Sequence, residues 1–132
     1  MPPSGRYLLD TNILIALLAG ESSVTTAVGG ATAVFVPSIA LGELYYGAEK
    51  SGRPQENVRI VERLSASAAV LACGAETARR YGMLKARLRS RGTPLPENDI
   101  WLAALALEHD IALATRDAHF AEVPEITTVS WR

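Results

Sequence analysis

A chain of 132 residues with 48% hydrophobic side chains is long enough to bury one domain's core and too apolar to remain disordered. Its formal net charge of −1 argues neither for nor against nucleic acid, and its single cysteine, Cys73, excludes an internal disulfide framework and fits a reducing cytoplasm. The longest strongly apolar run, Ile13 to Ala19, is too short to span a bilayer, so no membrane association is expected.

Residues 1–5, within MPPSGR, read as a loose lead-in without the apolar core of a secretory signal. Arg6 to Leu9 is predicted as a short buried strand that runs into Asp10. Thr11 to Ala19 follows as a helix stopped at Gly20, and Ser22 to Gly30 as a second, weakly apolar one. Ala33 to Val36 is a strand ended by Pro37, with Ser38 as the expected N-cap of the helix that carries Glu43. Pro54 opens another helix, expected to run through Leu64, and Ala69 to Cys73 is a third strand. Ala75 to Arg91 has Tyr81, Leu84 and Leu88 at helical spacing and ends at Gly92 and Pro94. Pro96 precedes a helix from Glu97 to Glu108, with Asp99 in its first turn. Ile111 to Ala114 and Ile126 to Val129 complete the set as strands. Short apolar strands alternating with helices predict one α/β domain with a mainly parallel five-stranded sheet.

Three acids stand alone in apolar surroundings. Asp10 is the only charged residue in YLLDTNILIALLAG, Glu43 in FVPSIALGELYYGA and Asp99 in NDIWLAALAL. A fourth, Asp117, follows the run IALATRD. An unpartnered ionised carboxylate costs several kcal/mol to bury. No lysine or arginine lies within the first three stretches, so a shared divalent cation is the expected compensation. Each acid also has an ordinary explanation: a helix cap for Asp10, a first-turn dipole contact for Asp99, a pair with Arg116 for Asp117 and a solvated stripe for Glu43. Together they make a donor set suited to Mg²⁺ or Mn²⁺. Ligands of parallel sheets bind beyond the strands' carboxyl ends, where Asp10 and Asp117 are predicted to lie. Thr11, Asn12, Asn98 and Thr115 flank the acids and are expected to support them through hydrogen bonds. His109 and His119 read as isolated surface or structural residues, and the absence of a Cys/His cluster disfavours zinc.

The segments YLLDTNI, LGELYYG, NDIWLAALA and ATRDAHF resemble the four acidic motifs of PIN domains. The ELxxG and NDxxxAA forms and the single-domain length are similar to VapC-type toxins, the nuclease halves of toxin–antitoxin pairs. The resemblance covers Tyr7 to Phe120 and implies a three-layer α/β/α sandwich. It also implies Mg²⁺- or Mn²⁺-dependent hydrolysis of RNA, with Asp10, Glu43, Asp99 and Asp117 as the catalytic, metal-binding quartet. Thr11 and Thr115 would be supporting hydroxyls, and Asn12 would order the site. It further implies homodimerisation and an antitoxin segment that occludes the acids. A related nuclease of RNA processing outside toxin–antitoxin systems, or a non-enzymatic scaffold, are the alternatives.

From Glu76 to Arg91 six basic residues face one acid, and Arg79, Arg80, Lys85 and Arg87 are therefore the expected RNA contacts. A haloacid-dehalogenase-type phosphatase would show D-x-D in place of Asp10-Thr11-Asn12. A receiver module would place an aspartate after the third strand, where Leu71-Ala72-Cys73-Gly74 stands.

Overall fold

The apolar strand β1, Arg6–Leu9, lies at the centre of a five-stranded sheet in the computed structural model, which describes residues 5–132. The other strands are β2 (Ala33–Pro37), β3 (Ala69–Leu71), β4 (Ala112–Ala114) and β5 (Thr128–Val129), and their order is β3-β2-β1-β4-β5 with every pairing parallel. The helices are α1 (Thr11–Leu18), α2 (Ser22–Gly30), α3 (Ser38–Glu49), α4 (Pro54–Ser67), α5 (Ala75–Arg91) and α6 (Glu97–His109), with a 3-10 turn over Ala118–Glu122. Residues 1–4 of the expected lead-in lie outside the described residues. Gly5 takes a positive φ of 67°, and its carbonyl accepts from the Thr32 and Ala33 amides beside β2.

Side chains alternate across a strand, and the two faces of the sheet bury separate cores. Tyr7, Leu9, Val36, Ala112 and Ala114 pack against residues of α1 to α4, including Ile13, Val24, Leu44 and Val61. Leu8 and Leu113 face the other way, toward Leu84 and Leu88 of α5, Leu102 and Leu105 of α6, and Phe120. The result is the expected α/β/α sandwich. Covering both faces explains why the strands read as apolar runs rather than as alternating ones. It also explains the alanines of α6: Ala103, Ala104 and Ala106 are all buried, which keeps the helix close to its neighbours. No single helix among the described residues is long and apolar enough to cross a membrane.

Differences from the expected elements have local causes. Pro37 rather than Ser38 occupies the cap position of α3, because the extended backbone of β2 runs directly into the helix and Ser38 is already its first residue. α4 continues three residues past Leu64 to Ser67, and β3 ends at Leu71. β3 is an edge strand whose Ala69 and Val70 are exposed, so little beyond its pairing with β2 extends it. Ile126 and Thr127 precede β5, although the Thr127 carbonyl already accepts from Leu113. The helix ends read from Gly92 and Glu108 hold closely. Gly92 adopts φ 69° and its amide closes on Arg89, while Thr93 closes on Leu88.

β1 has β2 on one side and β4 on the other, so chain direction across the sheet reverses there. The carboxyl ends of β1 and β4 thus border the crevice where parallel sheets bind ligands.

Candidate active site

Asp10 leaves β1 at that crevice and caps α1. Its Oδ1 accepts from the Thr11 amide at 2.7 Å and its Oδ2 from the Thr115 hydroxyl at 2.7 Å, so both oxygens are oriented before any ligand arrives. At 6% exposure it is the one buried acid of the quartet. β4 delivers Thr115 from the opposite bank. The Asp10 amide donates to Ala114 across the strand ends at 2.9 Å, and the Arg116 amide donates to Asn12 Oδ1 at 3.2 Å. Thr115 Oγ1 also accepts from the Asp117 amide at 3.0 Å. Thr115 therefore couples Asp10 to Asp117. Thr11 couples Asp10 to Glu43 in the same way, its hydroxyl donating to Glu43 Oε1 at 2.7 Å.

Asp99 is the third residue of α6, where the helix dipole favours a carboxylate. Asp117 caps the 3-10 turn by accepting from the His119 amide at 2.9 Å. That turn brings the His119 ring to 3.1 Å from Asp117 Oδ1 and 3.9 Å from Asp99 Oδ2. One ligand atom each from Asp99, Asp117 and His119 fits within 4.8 Å of the others. The structure thus brings all four predicted acids to one place and adds His119, which is exposed as expected but not isolated. The Asp117-Ala118-His119 spacing directly after a strand was the available signal: a tight turn folds positions two apart toward the same point.

Electrostatics ties the quartet together. Burial pushes Asp99 up to about 6, and repulsion from Asp117, Asp10 and Glu43 adds to it, against a smaller opposing pull from His119. Burial also raises Asp10, opposed by the hydrogen bonds from Thr115 and Thr11 and reinforced by the charges of Glu43 and Asp117. No arginine or lysine among the described residues pairs with any of the four. Arg116, adjacent to Asp117 in sequence, instead holds Glu21 at 2.6 Å and the Trp131 carbonyl at 3.0 Å. The burial premise is corrected in part. Asp99 and Asp117 are half-buried, and Glu43 is exposed on a stripe of α3 whose other residues are largely apolar.

The remaining predicted residues fall outside this hydrogen-bonded centre. Asn98 is exposed and lines a groove along α3 with Glu43, Tyr46 and Lys50. The basic helix α5 is partly neutralised from within the chain, three carboxylates meeting five of its six cations. Arg79 and Arg80 both pair with Glu76, Lys85 with Glu97 of α6, and Arg87 and Arg91 with Glu125. Two of these three acids lie outside α5, Glu97 on α6 and Glu125 in the turn before β5, which a local charge count does not register.

The PIN domain family model matches residues 7–126. Ribonuclease VapC2 of Haemophilus influenzae is 33% identical over 129 residues, covering 96% of this chain and 98% of that protein. The tRNA(fMet)-specific endonuclease VapC of Shigella flexneri is 30% identical with the same shares covered. Among solved structures, DNA-bound VapBC from Salmonella typhimurium is similar with a TM-score of 0.90 and 28% identity, over 96% of this chain and 98% of that one. A fold, a crevice lined by four acids and full-length similarity agree: the chain belongs to the PIN-domain family, among its VapC-type members.

Proposed function

We propose that this chain is a divalent-metal-dependent endoribonuclease and the toxin of a toxin–antitoxin pair. The observation that carries the reading is the convergence of Asp10, Glu43, Asp99 and Asp117 with no lysine or arginine among the described residues paired to any of them, and with Asp99 held at about 6. Such a set suits a hard divalent ion. Asp10, Asp99 and Asp117 would hold Mg²⁺ or Mn²⁺, with Glu43 at the rim and His119 within reach. When bound, the ion supplies charge neutralisation at the phosphate and a more acidic water.

The chain's own residues supply orientation. The Thr11 amide and Thr115 hydroxyl fix both Asp10 oxygens, so the carboxylate is not free to rotate away from the crevice. Thr11 occupies Glu43 Oε1 and leaves Oε2 without a partner among the described residues, as the oxygen that takes a proton from the attacking water. In the hydrolysis a new O–P bond forms to that water oxygen while the bond to the leaving ribose oxygen breaks.

Transfer RNA is the first substrate to test, because the 30% identical Shigella relative is named for tRNA(fMet). A second groove supports a site for the antitoxin. Ile15 and Leu18 of α1, Leu44 of α3, and Ile60 and Val61 of α4 line it, and it opens at Thr11 and Glu43. Ile15 and Leu18, one turn apart on α1, are 56% and 43% exposed in this groove, an apolar surface that suits a partner segment, and a segment lying there would reach the acids. Homodimerisation belongs to the same proposal and is tested by light scattering on the purified chain.

RNA-end sequencing after induced expression tests the activity. Discrete new ends should accumulate with the wild type and not with Asp10→Asn, and identical end profiles for the two would end the nuclease reading.

A further inference from the structure

The cations expected to meet RNA are those of α5, yet Arg79, Arg80, Lys85, Arg87 and Arg91 each pair with a carboxylate of this chain, and of the six only Arg89 has no such partner among the described residues. A different cation beside the acids has no carboxylate partner among the described residues. Lys50, at the end of α3, has its Nζ 4.9 Å from the centroid of the Tyr46 ring. Tyr46 is 67% exposed, the highest exposure of any large hydrophobic side chain among the described residues. It lies three residues beyond Glu43, about one helical turn along the same face. Both belong to one groove, lined also by Ile39, Gly42, Gly47 and Asn98.

Gly42 and Gly47 shape that groove. Both sit inside α3, where glycine weakens a helix, and a Cβ on either would meet nothing within 4 Å. Internal packing does not require them, and their effect is a bare floor on either side of Tyr46. A flat aromatic ring, a free ammonium, a carboxamide and an uncovered backbone suit an unpaired nucleotide, whose base stacks and whose phosphate meets the cation. A protein segment is better matched by the apolar groove on the other side of α3, between Ile15 and Ile60.

We propose that Tyr46 and Lys50 form a base-stacking subsite for a single-stranded nucleotide next to the scissile phosphate, reached along α3 rather than α5. The subsite rests on the nuclease reading and makes Tyr46 a substrate-positioning residue.

The test is fluorescence anisotropy with a short labelled single-stranded RNA of random sequence, alongside tRNA cleavage kinetics, on the full chain and three variants. Tyr46→Ala should weaken RNA binding roughly 5- to 100-fold and raise KM, with kcat at saturation unchanged. Tyr46→Phe should retain binding within roughly twofold, because the ring and not the hydroxyl does the stacking. Lys50→Gln should lower the slope of log affinity against log salt by about 0.7, the share of one phosphate on a single strand. A fully duplex RNA should be insensitive to Tyr46→Ala. Unchanged affinity in Tyr46→Ala, or equal losses in Phe and Ala, overturns the subsite. So does a Tyr46→Ala chain that falls to half the wild-type mass by light scattering, which would give the face to a second copy. If the wild type itself neither binds nor cleaves RNA, the nuclease reading fails first; an active wild type with an indifferent Tyr46 removes only the subsite.

Discussion

Thr115 shows how much of the centre depends on single hydroxyls. It donates to Asp10 and accepts from the Asp117 amide, so Thr115→Val removes both contacts with little change in volume. We expect cleavage to fall about 10- to 100-fold, the usual cost of losing an outer hydrogen bond to a ligand, while Thr115→Ser retains most activity. Equal activity in the valine variant would show that Asp10 needs no such support. Asp99 makes a prediction in pH. Its carboxyl is held at about 6 in the fold against an ordinary 3.8, so the folded chain binds that proton more tightly than the unfolded one. The associated stability is fully present below about pH 4 and is lost as pH rises through about 6, a change of at most about 3 kcal/mol that solvent screening reduces because the carboxyl is only half-buried. Denaturant melts in EDTA should show the wild type losing stability across that window relative to Asp99→Asn, and parallel curves would contradict it. The positions of the four acids were legible because charge is conspicuous in apolar runs. Their burial was not, since an exposed stripe on α3 and a buried strand end look alike in a string of letters. The partners of Lys85, Arg87 and Arg91 on α5 were hidden for a related reason: Glu97 and Glu125 are near them only after folding.

At the scale of elements, α3 and α5 use glycine in opposite ways. Gly92 ends α5 at φ 69°, a conformation that costs a side-chain-bearing residue about 1–2 kcal/mol, so Gly92→Ala should destabilise by about that amount. Gly42 is an ordinary helical position with open space where a methyl would stand, and Gly42→Ala should stabilise by roughly 0.5–1 kcal/mol. Urea midpoints moving in the same direction would refute the distinction. Most helices and strands could be read from periodicity and from punctuation by proline and glycine. The 3-10 turn over Ala118–Glu122 could not, because it is too short to repeat. That turn carries His119 to the acids, so the one undetected element concealed the one undetected member of the site. The cap of α3 was misplaced by one residue because β2 enters the helix without an intervening turn.

Across the whole molecule, the sheet order β3-β2-β1-β4-β5 does the gathering. It sets the end of β1 beside the end of β4, and α3 and α6 bring Glu43 and Asp99 to the same edge. Two grooves then flank α3, an apolar one toward α1 and α4 and a polar one toward Asn98. On the proposed reading the apolar groove takes the partner and the polar one the substrate. Leu18→Glu, at the end of α1 far from Thr11, should abolish capture of the co-expressed antitoxin while leaving RNA cleavage within about threefold, since surface changes away from the acids are nearly neutral. Retained antitoxin binding in that variant would move the partner elsewhere. Both assignments require the acids to be a metal-dependent catalytic centre. The most direct measurement is tRNA cleavage by the purified chain during a Mn²⁺ titration, for wild type and Asp99→Asn. The wild type should be silent in EDTA and activate saturably with metal, and Asp99→Asn should lose more than the 10- to 100-fold roughly expected for an outer partner such as Thr115. Cleavage that persists in EDTA, or an Asp99→Asn chain as active as the wild type, would contradict it.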